Sequence, residues 1–318
     1  MPQPTRRRLM IASALAAVAA ACPAARGDER TYKIGLVLKG LDDPYTTAMI
    51  TAANVFQAHS PYPFTLVVRG TAGQTDVDRQ IALVGALAKA AVNAIVLAPT
   101  DSRALVPAAS QCIRRGILVV TIDNPLDTDA QRTAGVIVPF IGPDNRRGAR
   151  LAGNYLARLL HPGDEVAIIG GVSTDGNALQ RNAGFRDAMQ SASARIVAVE
   201  PGDWEYGAGR LAAAAILAKY PRLRALLCGN DNMARGAVDA IRAAHLKGRV
   251  LVVGYNDSAA IKPMLADGRV LATVNQFEEK QAVYGIDVVL QALEEQHTQA
   301  DLPEFFETPT ALVTRNGK

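Results

Sequence analysis

The chain has 318 residues, of which 49% are hydrophobic and 20% charged, enough for two substantial cores. The formal net charge is +4 at pH 7, but four arginines precede the first acidic residue, Asp28. Without those four of the 34 basic residues, 30 remain against 30 acidic ones, so a nucleic-acid partner is not expected.

Residues 1–27 have the pattern of an export signal. A basic stretch ending at Arg8 precedes an apolar, alanine-rich run over residues 9–21, which is too short to span a membrane as a stable helix. The stretch from Thr5 to Leu9 resembles a twin-arginine export motif, with an ordinary Sec signal as the alternative. Cys22 could instead be the acylated cysteine of a lipoprotein. The pattern predicts an exported protein.

From Tyr32 onward, short β-branched runs alternate with amphipathic helical patterns, which predicts an α/β fold with mostly parallel strands. The predicted strands cover Lys33–Leu38, Phe64–Gly70, Ala94–Ala98, Leu118–Asp123, Val136–Pro139, Val166–Gly170, Arg195–Glu200, Ala225–Gly229, Val250–Tyr255, Leu271–Asn275 and Ala311–Thr314. The predicted helix caps are Asp43, Thr75, Ser102 and Asp144. A long helix is predicted over Glu278–Glu295.

Polar and aromatic side chains follow the predicted strands, at the sheet edge where ligands of α/β proteins bind. They are Lys39, Asp43, Tyr45, Asp123, Asn124, Arg181, Trp204, Asn230, Asn256 and Gln276. Carboxylates and amides bond paired hydroxyls, and an aromatic face covers the C–H patch of a sugar. This combination predicts a sugar site.

Most of these residues also have a structural interpretation. Asp43 could serve only as a helix cap, Lys39 could be an exposed lysine, and the two aromatic residues could belong to a core or its rim. Arg181, if buried, is expected to pair with a carboxylate as well. Next to Asn230, we assign the helix-capping role mainly to Asp231.

Several stretches together resemble a known family. They are Ile34-Gly35-Leu36-Val37, Asp42-Asp43-Pro44-Tyr45, Ala98-Pro99-Thr100-Asp101, Val119-Val120-Thr121-Ile122-Asp123, Asp144-Asn145-Arg146-Arg147-Gly148, Gln180-Arg181-Asn182-Ala183-Gly184-Phe185, Gly229-Asn230-Asp231-Asn232-Met233-Ala234 and Val252-Val253-Gly254-Tyr255-Asn256-Asp257. In this order and spacing, the chain from Tyr32 to about Val313 resembles the periplasmic ribose-, galactose- and arabinose-binding proteins.

The resemblance implies two Rossmann-like lobes with mainly parallel sheets and three crossing strands. The expected first lobe comprises residues 31–141 and 277–307, and the second comprises 142–276 and 308–318. It also implies a periplasmic monomer that captures an aldopentose, an aldohexose or a polyol between the lobes and delivers it to an ABC permease. No enzymatic activity, cofactor or metal is expected.

Within this resemblance, several positions match the family's ligand contacts. The matching residues are Asp123, Arg181 and Asn230 as charged and amide contacts, Trp204 as the stacking aromatic, and Gln276 beside a crossing between lobes. Lys39, Asp43 and Asn256 depart from the ribose pattern. These departures look like the arabinose-binding branch, which weakens a prediction of ribose itself.

Three other functions share part of this sequence pattern. Residues 207–212 match Gly-x-Gly-x-x-Ala, with Asp231 about 20 residues further on, as in dinucleotide-binding oxidoreductases. The bulky Trp204 and its neighbours, however, replace a tight strand-to-helix turn. A binding protein that signals to a sensor kinase or chemoreceptor would share the whole pattern. A repressor of the same fold would need a DNA-binding headpiece where the export signal stands.

Overall fold

The structure, a computed structural model, describes residues 31–315 and Gly317. The predicted export signal, its arginine motif and Cys22 therefore lie outside the described residues. The described chain forms two six-stranded sheets, each with helices packed on both faces. The predicted α/β fold with two lobes of mainly parallel strands is confirmed.

All described strand pairs of the first sheet are parallel. In spatial order its strands are β11 (Phe305–Thr308), β5 (Phe140–Pro143), β4 (Leu118–Ile122), β3 (Ala94–Leu97), β1 (Tyr32–Leu38) and β2 (Phe64–Gly70). One face is covered by α1 (Pro44–His59) and α10 (Glu278–Glu294), the other by α2 (Val77–Lys89), α3 (Val106–Ile113) and α4 (Thr128–Ala134). A short 3-10 helix, Gln299–Asp301, precedes β11.

The second sheet has the same architecture with one antiparallel edge strand. In spatial order its strands are β12 (Ala311–Thr314), β10 (Ala272–Asn275), β9 (Leu251–Val253), β8 (Leu223–Cys228), β6 (Glu165–Gly170) and β7 (Arg195–Pro201), with β12 antiparallel to β10. One face is covered by α5 (Asn145–Ala157) and α6 (Gly176–Ser191), the other by α7 (Tyr206–Lys219), α8 (Asp231–Ala243) and α9 (Lys262–Ala266).

Within residues 31–315 the chain passes between the two sheets three times. The crossings follow Pro143, Asn275 and Thr308. At the second crossing Phe277 has a φ of 50°, a left-handed conformation that is unfavourable for a residue with a Cβ. Residues that follow strands of both sheets line one cavity, so the carboxyl edges of the two sheets face the same cleft.

One predicted strand is wrong, and one real strand is not predicted. The run Val136–Pro139 is loop, and β5 begins only at Phe140. The run does not pair as a strand because the Val138 amide donates to Gln131 Oε1 at 2.7 Å instead of to a neighbouring strand. Strand β11 has only four residues at the sheet edge, too few for a clear period.

The predicted helix caps are half right. Asp43 and Asp144 lie at the amino ends of α1 and α5, where each carboxylate accepts a backbone hydrogen bond. Helix α2 is capped by Asp76 instead of Thr75, since the Asp76 carboxylate reaches the amide three residues on. Ser102 caps no helix of its own lobe, because α3 begins further along the chain.

In the described part of the chain, no helix is long and apolar enough to cross a membrane. No group of His, Cys, Asp and Glu there is placed to hold a metal ion. Cys112 in α3 and Cys228 in β8 are both buried and unbridged. Hydrophobic clusters lie on both faces of each sheet and form the cores of the two lobes.

Candidate ligand-binding site

A polar cavity of about 330 Å³, including the space at its open mouth, lies between the lobes. Its lining residues are Lys39, Asp43, Tyr45, Gln74 and Asp123 from the first lobe, Asn177, Arg181, Trp204, Asn230 and Asn256 from the second, and Gln276 at a crossing. The position at the carboxyl ends of parallel strands is typical of α/β binding sites.

Nine of the ten residues predicted from the sequence line this cavity. The tenth, Asn124, is fully buried behind the wall, where its Oδ1 accepts a hydrogen bond from the Asn177 amide at 3.0 Å. Sequence reasoning missed Gln74 and Asn177. Gln74 follows the end of β2, and Asn177 lies one helical turn before Arg181, so strand ends and helical spacing could have found both.

Arg181 is buried at the centre of the cavity wall and is held on several sides. Its Nε donates to Asn145 Oδ1 at 2.8 Å, Nη1 to the Gly229 carbonyl at 2.9 Å and Nη2 to Gln276 Oε1 at 3.1 Å. Its guanidinium carbon lies 3.7 Å from the ring centroid of Tyr255. These partners are neutral, which corrects the expectation of a carboxylate. The hydrogen bonds of Arg181 therefore leave its positive charge without a carboxylate acceptor in the cavity wall.

Trp204 forms a rigid aromatic face although it is only 4% exposed. Its ring lies on Gly171, where a Cβ would come within 2.0 Å of the indole. Its Nε1 donates to Asp175 Oδ2 at 2.7 Å. The absence of a Cβ at Gly171 therefore leaves room for the indole in the second-lobe wall.

The first lobe contributes a cluster of charges around Asp123. Lys39 Nζ lies 3.4 Å from Asp123 Oδ2 and 3.3 Å from Asp175 Oδ2, and Tyr45 donates to Asp123 Oδ1 at 3.0 Å. Burial would lower the pKa of Lys39, but the two carboxylates raise it above its ordinary value. Burial and the Asp123 charge raise the pKa of Tyr45. Lys39 is thus a charged donor inside the cleft, and the exposed-lysine interpretation is wrong.

The two lobes touch directly at the edges of the cavity. Asn232 Nδ2 donates to Asp43 Oδ2 at 2.8 Å, while the other oxygen of Asp43 caps α1. On the opposite edge, the Gly176 amide donates to Ser102 Oγ at 2.9 Å, beside the bond to Asn124. The structure therefore shows the lobes in contact around the site, and Asp43 does more than cap its helix.

Asn230 combines two roles, which corrects the assignment of helix capping to Asp231. Its Oδ1 accepts from the Met233 amide at 2.9 Å and caps α8, and its Nδ2 donates to the Trp204 carbonyl at 2.9 Å. Near the second crossing, Gln276 Nε2 donates to Asn256 Oδ1 at 2.8 Å. Amides thus hold the second-lobe wall together and present their remaining polar atoms to the cavity.

The second glycine of the pattern at residues 207–212 is explained by helix packing. Gly209 lies in α7 against α8, where a Cβ would come within 2.6 Å of the Met233 Cα. Asp231, the acidic residue that follows the pattern, is buried and accepts hydrogen bonds from Thr273 and Ser258. These contacts give Gly209 and Asp231 structural roles.

Comparison with known proteins supports the same interpretation. Residues 34–297 match the family described as periplasmic binding protein domain. The chain is 46% identical to a D-ribose/D-allose-binding protein of Pseudomonas aeruginosa over 317 residues, 99% of each chain. It is 50% identical to the solved ABC transporter solute-binding protein of Burkholderia multivorans, with a TM-score of 0.87, covering 90% of this chain and 100% of that one.

A further solved structure holds D-allose. It is an ABC transporter periplasmic solute-binding protein from Actinobacillus succinogenes, 27% identical, with a TM-score of 0.81 over 90% of this chain and 98% of that one. The match of the family over most of the chain, and the identity to a full-length relative, agree with the two lobes and the polar cleft described above. The chain belongs to the periplasmic binding protein family, as one of its type I sugar-binding members.

Proposed function

We propose that the chain is the substrate-binding component of an ABC sugar importer, and that it captures a monosaccharide between its lobes and releases it unchanged. The observation that carries this proposal is the cavity, which combines buried carboxylates, a lysine, a guanidinium and amides with one aromatic face. Sugar hydroxyls both donate and accept hydrogen bonds, so they need such a mixed lining. A stacked indole suits the apolar face of a pyranose.

The ligand we propose is D-ribose or D-allose. The support is the name of the 46% identical relative and the D-allose in the Actinobacillus structure. The two sugars have the same configuration at C2, C3 and C4, and their pyranose forms differ by the hydroxymethyl group on C5. One set of contacts to the shared hydroxyls therefore serves both. Arabinose, galactose and the polyols are the sugars against which this choice is tested.

Each wall has a distinct part in the proposed capture. Asp123 and Asp43 accept hydrogen bonds from sugar hydroxyls, and Lys39 donates to a ring oxygen or a hydroxyl lone pair. Arg181 donates from the other wall while Trp204 stacks on the ring. Because a sugar touching both walls binds the closed form better than the open one, its binding shifts the population towards closure.

We further propose that the protein works in the periplasm as a monomer, with lobe boundaries at the three crossings and no enzymatic activity, cofactor or metal. The amino-terminal pattern supports export, by the twin-arginine route or as an ordinary Sec substrate, with acylation of Cys22 as an alternative. The proposed partner is the membrane permease. A sensor kinase or chemoreceptor is the alternative output, since it would recognise the same closed form.

A thermal-shift screen of the mature chain tests the ligand. A sugar at about 100 times its Kd stabilises the folded state by about 2.7 kcal/mol, which raises Tm by several degrees. We expect D-ribose and D-allose to give this shift and L-ribose to give none. Calorimetry then supplies Kd, and mass spectrometry of the recovered sugar checks that it is unchanged. No shift with any pentose, hexose or polyol would overturn the proposal.

A second experiment tests the output. With the permease and ATPase of the proposed importer in lipid vesicles, the sugar-loaded protein should stimulate ATP hydrolysis, and the sugar-free protein should stimulate it less. Stimulation of kinase autophosphorylation without any effect on the transporter would favour the sensing alternative. Both measurements use the intact mature chain, so they do not depend on any substitution in the cavity.

A further inference from the structure

Asp175 is a buried carboxylate that neither the sequence pattern nor the cavity lining singles out. Asp175 directly precedes α6 in the second lobe, and its side chain is fully buried. One oxygen, Oδ2, accepts the Trp204 indole N–H at 2.7 Å and lies 3.3 Å from Lys39 Nζ, which belongs to the first lobe. A single atom therefore joins the aromatic face to the charged donor across the cleft.

The local structure shows that Asp175 does not do the usual work of a residue at this position. An Asp before a helix normally accepts a backbone N–H of the first turn, but Asp175 makes no such bond. The first amides of α6 donate instead to Ser102 and Asn124 of the opposite lobe. Capping across the cleft leaves the Asp175 carboxylate for Trp204 and Lys39.

The burial of Asp175 lowers the stability of the fold, so a purely structural role does not explain it. Asp175 Oδ1 is buried and accepts no hydrogen bond from the described residues, and a buried polar atom without a partner destabilises the fold. Burial accordingly raises the pKa of Asp175, although Lys39 and Trp204 act in the opposite direction. A neutral amide at this position would avoid the burial of a charge but would lose the ion pair with Lys39.

We propose that Asp175 is a positioning residue of the sugar site, which holds Trp204 in its stacking orientation and draws Lys39 into the cavity when the lobes close. This inference rests on the proposed function, because it concerns the same cleft. Lys39 and Asp175 lie in different lobes, so their ion pair forms only on closure and adds to the differential affinity for the closed form.

The test is a double-mutant cycle on sugar affinity with Asp175→Asn and Lys39→Met. Asp175→Asn keeps an oxygen for the indole N–H and removes the charge that attracts Lys39. We expect it to weaken binding of the screened sugar by at least about 10-fold in the wild-type background, and by less than about 3-fold in the Lys39→Met background. Asp187→Asn on the same helix is the matched control, because Asp187 pairs with Arg146 within its own lobe, and it should leave the affinity unchanged.

Trp204 supplies a readout that a merely structural role would not move, since it is the single tryptophan of the chain. In the sugar-free protein, Asp175→Ala should reduce the near-ultraviolet circular dichroism of Trp204 well below that of Asp175→Asn. Adding sugar should change this signal in the wild type, and less so in Lys39→Met. The Lys39 variant removes the ion pair from the other side and keeps the test available if an Asp175 variant does not fold.

Full additivity of the two substitutions, or wild-type affinity of Asp175→Asn, would overturn the proposal. These outcomes differ from a failure of the proposed function, in which the wild type itself binds none of the screened sugars. In that case the circular dichroism of the sugar-free variants still tests whether Asp175 orients Trp204. An unchanged tryptophan signal in Asp175→Ala would also reject the positioning role.

Discussion

The two walls of the cavity are built in different ways. In the second lobe, Arg181 donates to side-chain and backbone oxygens around it, and the ring of Trp204 packs against Gly171. In the first lobe, Asp123 and Asp43 each take a hydrogen bond from an asparagine of the opposite lobe, and Lys39 lies beside a carboxylate of that lobe. One wall is preorganised, whereas the other is completed by contacts across the cleft.

This difference suggests an order of events. A wall whose polar groups are already fixed loses little entropy when a sugar arrives, so we expect the second lobe to bind the sugar first. The charges of the first lobe then gain partners both from the sugar and from the second lobe as the cleft closes. Substitutions in the two walls should therefore have different effects. Those in the second lobe should remove the initial binding of the sugar, and those in the first lobe should uncouple binding from closure.

The largest effect is expected for Arg181→Ala. The substitution removes the donor and leaves the oxygens of Asn145, Gly229 and Gln276 without a partner, at about 1–3 kcal/mol for each buried group. We expect no saturable heat of sugar binding in calorimetry. The circular dichroism spectrum should match that of the wild type, which shows that the variant is folded. The control is Arg186→Ala, an exposed arginine on the same helix, which should bind normally. Wild-type affinity in Arg181→Ala would remove the second lobe from its leading role.

Asp123→Asn should weaken sugar binding by about 10- to 100-fold, because bonds to a charged acceptor are the strong ones. Asparagine tolerates the left-handed φ of 61° at this position, so the turn itself should survive. In small-angle scattering the variant should remain less compact than the wild type at the same fractional saturation. Asp129→Asn, on the exposed side of α4, is the control. Normal compaction in Asp123→Asn would break the distinction between the walls.

Trp204→Ala should cost about 1–3 kcal/mol of binding free energy through loss of buried aromatic surface, which is about 5- to 150-fold in Kd. Compaction with sugar should persist, because the polar contacts between the lobes remain. Calorimetry and scattering measure the two effects separately. The exposed Tyr284 on α10, changed to Ala, should have neither effect. If Trp204→Ala also abolished compaction, stacking would be part of closure.

The smallest effect concerns stability and pH in the second lobe alone. Burial raises the pKa of Asp231 to about 7, well above the value near 3.9 of an unfolded chain. At this group the folded state therefore binds more protons between these values, so the contribution of Asp231 to stability is greatest below about pH 4 and is lost as the pH rises through 7. Asp231→Asn should flatten the fall of Tm over this range by a few degrees without changing sugar affinity.

Burial also raises the pKa of Glu278, next to the second crossing, to about 7, with Asp257 and Asp231 adding to the shift. Glu278→Gln is thus the companion variant for the pH experiment. It should reduce the same slope of Tm against pH, and its effect should be smaller in the Asp231→Asn background, because Asp231 contributes to the Glu278 shift. A slope of Tm against pH between 4 and 7 that is the same in the wild type and in both variants would contradict both assignments.

Much of the fold could be predicted because buried parallel strands leave nearly continuous apolar runs, as in β3 and β8. The strand Val136–Pro139 was predicted wrongly because an apolar run does not reveal that the side chain of Gln131 takes the Val138 amide. Strand ends also located most of the candidate site, since each strand delivers its following residues to one sheet edge.

What could not be predicted lies where two lobes meet. Asn124 follows a strand as the rule requires, yet it faces the backbone of α6 instead of the cavity. Asp175 looks like an ordinary helix cap until Lys39 and Trp204 are seen beside it. Both roles depend on the relative position of elements more than 50 residues apart, which periodicity and local spacing do not encode.

The bonds from α6 to Ser102 and Asn124 have a kinetic consequence. These bonds join the lobes beside the cavity, so we expect the release of a captured sugar to be faster when they are weakened. The first contact of a sugar with the second-lobe wall does not require these bonds. Substitutions at Ser102 should therefore shorten the residence time and leave the association rate unchanged, as is usual when affinity is tuned through dissociation. The chain can adjust how long it holds its cargo with residues outside the cavity lining.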